Sequence, residues 1–146
     1  MNLASNRDYN HGAHGSNLKR LITLQKRVIR ITPRSAFDAH TDPLFKNLKI
    51  LNLESIYKLQ IGKCMYQYRT GLLPYSFNDM FLVTHQVHSY GTRSSEFFYL
   101  PQCRTNIRKF SFSFQGLKFF NSLSFEIRNA TSTASFCCKL KAFLWS

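Results

Sequence analysis

The sequence is poor in acid. Its 146 residues hold 7 Asp and Glu against 20 Lys and Arg, a formal charge of +13. The acids Asp8, Asp38, Asp42, Glu54, Asp79, Glu96 and Glu126 never form an adjacent pair, and Asp42 and Glu54 read as helix-start residues. Catalysis by paired carboxylates therefore has little to draw on. There is no Gly-rich phosphate loop, no G-x-S-x-G and no H-E-x-x-H, so no nucleotide cofactor or hydrolytic centre is implied. No run approaches 18 apolar residues, which excludes a membrane-spanning helix. The opening "MNLASNRDYN" lacks the apolar core of a signal peptide. Cys64, Cys103, Cys137 and Cys138 are accordingly expected as reduced thiols in a nuclear or cytoplasmic protein.

What is present is greasy and basic. The chain is 44% hydrophobic with 14 Phe, 7 Tyr and one Trp, too apolar to remain disordered. A domain of this length buries roughly two-thirds of the surface its unfolded chain exposes. Residues 1–16 are polar and aperiodic and read as a tail, leaving residues 17–146 as one domain. The expected fold is mostly α, a small helical domain with a short β-hairpin or ribbon in its C-terminal half.

Along the chain, Asn17 is a plausible cap for a first helix that Pro33 stops. Asp42 and Pro43 start a short second helix to about Leu48, with Asp42 capping and Pro43 at the first helical position. "NLESIYKLQIGKCMYQYRTGLLP" carries Asn52 as cap, Glu54 in the first turn, Arg69 in the last, then Gly71 and Pro74. Its apolar residues occupy most of the circumference, so this helix is expected to be central. "FFYLP" (Phe97 to Pro101) and "RKFSFSF" (Arg108 to Phe114) show the aromatic, period-two pattern of strands. "FQGLKFFNSL" turns helical, and Phe136, Leu140, Phe143 and Leu144 mark a last short helix.

The positive charge is clustered. In "LKRLITLQKRVIRI" a helical turn gathers Lys19, Arg20, Lys26, Arg27 and Arg30, leaving Leu18, Leu21, Ile22, Leu24, Val28, Ile29 and Ile31 on the remaining side. A second cluster, Arg93, Arg104, Arg108 and Lys109, is interleaved with Tyr90, Tyr99 and Phe110. Arginine forks bind phosphate and exposed rings stack on bases, so the backbone of RNA or DNA is the natural partner. The plainer reading has the rings in the core and the charges facing water. His85, His88, Cys103, Cys137 and Cys138 could be drawn as zinc ligands, but adjacent cysteines lack the usual C-x2-4-C reach, so ordinary thiols and no metal are expected.

The segments "LQKRVIRI", "AHTDPLFKNLKILNLESIYKLQIGKCMYQYRTGLLP", "HSYGTRSSEFFYLPQCRTNIRKFSFSFQGLKFFNSL" and "FCCKLKAFL" together resemble the C-terminal region of non-LTR retrotransposon reverse transcriptases, the jockey-like group. The resemblance spans about Asn17 to Leu144. It implies a segment that follows the polymerase palm, beginning in or just after the thumb, and that helps hold template, primer or target. The Asp-Asp polymerase motif lies upstream in that family and has no counterpart here. Phe120 stands where the family usually has Trp, Ser124 where Pro is common, Cys137 and Cys138 where lysines are usual, and "NHGAHGSN" where a Trp-Gly stretch occurs. The resemblance thus implies a truncated or decayed copy without catalysis of its own, binding nucleic acid nonspecifically. A structural module whose basic face packed on polymerase domains, encoded upstream, is the alternative. No membrane and no small-molecule substrate are expected.

Overall fold

The computed structural model describes residues 15–33, 35–87 and 95–145, with residues 15–17 and 106 described in their backbone only. These residues fall into two compact units, one of residues up to 57 with 144 and 145, the other of residues 58–143. Each is taken in turn.

The first unit pairs α1 (Gly15–Ile31) with α2 (Thr41–Asn47) and holds the start of α3 (Leu53–Arg69). α1 begins at Gly15, two residues before the expected cap, and ends two residues before Pro33, whose ring and missing N–H bar continuation. α2 starts two residues early. His40 holds the cap position without a side-chain bond, and Asp42 and Pro43 sit inside the first turn. Pro43 costs nothing there, because the first amides of a helix have no internal acceptor. Ile29, Thr41 and Phe45 are the buried residues of this unit, and Gln25 joins α1 to the α3 entrance. Its amide nitrogen donates to the Leu51 carbonyl at 3.1 Å, and its oxygen accepts from the Leu53 N–H at 2.9 Å.

α3 fits its sequence signals closely. The Asn52 side chain caps the Ser55 N–H at 2.8 Å, and the helix stops before Gly71, which takes φ +69°, a conformation open to glycine at little cost. In the second unit α3 packs against α6 (Phe112–Ser122) and α8 (Thr133–Trp145). Met65, Phe120, Phe136 and Leu140 are the largest fully buried side chains. Tyr66 stacks on Phe136 at 4.5 Å between ring centroids and donates its hydroxyl to the Ala130 carbonyl at 2.7 Å. The aromatic series continues from Phe136 to Phe120, Phe98, Phe81 and Tyr68.

Gly62 lets α3 and α8 approach. A Cβ placed there would lie 2.6 Å from Leu140 Cδ2 and 3.3 Å from Phe119 Cε1. Leu140 is fully buried and has little room to rotate away. Gly62→Ala gains about 1 kcal/mol of helix propensity but overpacks the contact by about 1–3 kcal/mol. The expected net result is a lower urea midpoint; a raised midpoint would show that α8 yields easily.

The expected hairpin is not there: among the described residues there is no strand, only an isolated antiparallel bridge between Val83 and Phe98. "RKFSFSF" runs from α5 (Asn106–Lys109) into α6. Phenylalanines two apart fit a strand, but Phe114, Leu117 and Asn121 continue them at helical i, i+3, i+7 spacing, and burial of Leu117 and Phe120 selects the helix. "FFYLP" is extended and pairs instead with the start of α4 (Thr84–Val87): the Thr84 N–H donates to the Phe97 carbonyl and the Tyr99 N–H to that of Leu82, both at 2.8 Å. Asn121 completes the pairing, donating to the Phe98 carbonyl at 2.8 Å and accepting from its N–H at 3.0 Å. A 3-10 turn (Tyr75–Phe77) and α7 (Phe125–Arg128) complete the unit.

Candidate nucleic-acid interface

α1 contains no acidic residue, and its charges form two rows, each built on a seven-residue spacing: Lys19 and Lys26 in one, with Arg30 four residues on, and Arg20 and Arg27 in the other. Seven residues are nearly two full turns, so each row runs along the helix axis. Lys19, Arg20, Lys26 and Arg27 are exposed and have no acidic partner among the described residues. Arg30 differs. It is half-buried, and its Nε donates to the Ala39 carbonyl at 2.9 Å, which fixes the guanidinium while leaving its terminal nitrogens to make other bonds.

The apolar side of α1 is divided. Leu18 and Ile22 are half-buried and Ile29 is buried, whereas Leu21, Leu24, Val28 and Ile31 form an exposed stripe beside the Arg20 and Arg27 row. The helix therefore shows three faces where its sequence predicts two.

The second cluster belongs to the other unit. Arg104, Arg108 and Lys109 are exposed. The backbone that carries them is tied to the start of α6: the Ser111 hydroxyl donates to the Arg108 carbonyl at 2.6 Å, and Gln115 Nε2 donates to that of Lys109 at 2.7 Å. Ile107 between them is 88% exposed. Tyr99 and Phe110 are half-buried, so these rings are not open stacking platforms; Arg93 and Tyr90 lie outside the described residues.

Arg128, which sequence reading passes over, serves the fold. It is buried, its Nε donates to the Leu123 carbonyl at 3.0 Å, and its guanidinium lies 4.2 Å from the centre of the Phe97 ring. Burial, helped by nearby Arg69, pulls its pKa below the usual guanidinium value, and Glu96 opposes the shift. Glu96 also pairs with Arg69 at 3.5 Å, so part of the positive charge here is balanced locally.

Among the described residues, no group of three or more His, Cys, Asp or Glu is placed to hold a metal ion. Cys64, Cys103 and Cys137 are half-buried free thiols, Cys138 is exposed, and His88 lies outside the described residues. No described helix is long and apolar enough to cross a membrane. No family model, curated protein or solved structure matches the chain.

Proposed function

We propose that the chain binds the phosphate backbone of RNA or DNA without sequence preference, and corresponds to the C-terminal, post-palm part of a retrotransposon reverse transcriptase without polymerase carboxylates of its own. The observation that carries the binding reading is the pair of basic rows on α1, with Lys19, Arg20, Lys26 and Arg27 exposed and no acid in the helix. Each lysine or arginine that meets a phosphate releases condensed counterions, giving affinity that ignores base identity. Arg104, Arg108 and Lys109 add a second basic surface of the same kind. The protein would work in the nucleus or cytoplasm, where such polyanions are found.

A salt titration on two unrelated single-stranded RNAs tests the reading. Four phosphates met by α1 contribute a slope of about −2.8 in log K against log salt, so affinity should fall about fifty-fold or more between 50 and 200 mM salt. The two RNAs should bind alike. Affinity that does not change with salt would overturn the proposal.

The exposed stripe of Leu21, Leu24, Val28 and Ile31 favours a second reading, in which α1 packs on polymerase domains encoded upstream. The two readings part at the charges: packing through the stripe needs no RNA and gives no salt-dependent RNA affinity.

A further inference from the structure

Beside the basic rows lies a groove of about 270 Å³, lined by Arg27, Arg30, Ile31, Ser35 and Phe37. Pockets that enclose a whole small molecule measure about 300–1,000 Å³, so this one suits a single unit of a longer chain. Its lining joins an apolar ring and aliphatic surface to two guanidinium groups and one hydroxyl.

Phe37 is 83% exposed, and the chain around it is firmly held. The Ser35 N–H donates to the Arg30 carbonyl at 3.0 Å, the Ala39 N–H closes a turn onto the Ala36 carbonyl at 3.0 Å, and Arg30 Nε clamps the Ala39 carbonyl. The ring thus stands at the tip of a turn fixed on both sides. With the backbone of the turn already ordered, only the side-chain torsions of Phe37 lose freedom when something flat settles on the ring. Arg30, its Nε already committed, keeps its terminal nitrogens for an anion, and exposed Arg27 supplies a second fork.

Resting on the nucleic-acid reading above, we infer that this groove takes one unpaired nucleotide, the base stacked on Phe37 and its phosphate held by Arg27 and Arg30. The preferred ligand is then single-stranded, because in a duplex both faces of a base are already covered by its neighbours. Stacking tolerates any base, since every base has a π-face, so the groove adds affinity for unpaired strands without adding sequence preference.

The test compares wild type, Phe37→Leu and Phe37→Trp on three probes at one salt concentration: a single-stranded RNA of 12 nucleotides, its duplex, and an abasic strand of equal length. Wild type should prefer the single-stranded RNA to both others. Phe37→Leu keeps the apolar volume but loses the ring, and should bind the single strand about five- to hundred-fold more weakly. It should bind the abasic strand as wild type does, and Phe37→Trp should restore the loss. Circular dichroism confirms that each variant is folded. Equal loss on single and abasic strands would overturn the stacked base, and so would no loss on either while salt-dependent binding persists, which leaves the backbone-binding proposal intact. Absence of salt-dependent binding by wild type would remove that proposal and this inference together.

Discussion

Phe136→Ala should lower the unfolding free energy by about 3–5 kcal/mol, the cost of removing a buried aromatic ring and leaving a cavity. Phe136 is completely buried in α8, stacked on Tyr66 and 6.2 Å from Phe120 between ring centroids. It also packs near Gly62, where a Cβ would lie 3.6 Å from its Cζ, so the close approach of α3 and α8 leaves no loose neighbour to refill the space. Domains of this size unfold with only about 5–15 kcal/mol to spare, so the loss is a large fraction of the whole. The melting temperature should drop by about 6–20 °C. Phe125→Ala is the control: its ring is 65% exposed, and its removal should cost less than about 1 kcal/mol. Urea and thermal unfolding of both variants check the expectation. Comparable losses for the two would mean that the aromatic series is not the core.

The parts of this fold that were legible in the sequence are those whose signals lie close together along the chain. Asn52, Glu54, Arg69, Gly71 and Pro74 bracket α3 within one segment, and the cap on Ser55 and the positive φ of Gly71 are local consequences of those residue types. Phe136 and Leu140 mark α8 by spacing alone. The Phe and Ser alternation of 110–114 was ambiguous because residues four apart satisfy a strand and a helix equally, and the choice was made by burial of Leu117 and Phe120. The clasp of Asn121 on Phe98 spans 23 residues, and no local pattern announces such a bond.

The same distinction holds at the surface. The basic side of α1 follows from helical spacing and can be read directly. The division of the α1 apolar side could not, because periodicity tells which residues share a side but not which part of that side meets a neighbour. Arg30 belongs to the basic side by spacing, but its bond to Ala39 depends on where the following loop returns. Phe37 sits in that loop, outside any periodic pattern, and the bonds of Ser35, Ala39 and Arg30 hold the backbone that presents it.

Replacing Lys19, Arg20 and Lys26 together by Gln should weaken single-stranded RNA binding on the order of 10²-fold at 0.1 M salt. Each phosphate contact on a single strand contributes about 0.7 to the slope of log K against log salt, so three lost contacts flatten the slope by about 2.1 and remove about two decades of affinity at that concentration. All three side chains are exposed, and Gln is close to Lys and Arg in helix propensity, so α1 should persist. These positions lie outside the groove that holds Phe37, so the variant changes the charge of the rows and leaves the ring where it is. The loss should be the same for unrelated sequences, because contacts to phosphate carry no base information. Salt titrations of wild type and variant on two RNAs, with circular dichroism to confirm the helix, measure it. If slope and affinity are unchanged in a folded variant, the basic rows do not touch nucleic acid, and the exposed stripe of Leu21, Leu24, Val28 and Ile31 becomes the working face of α1.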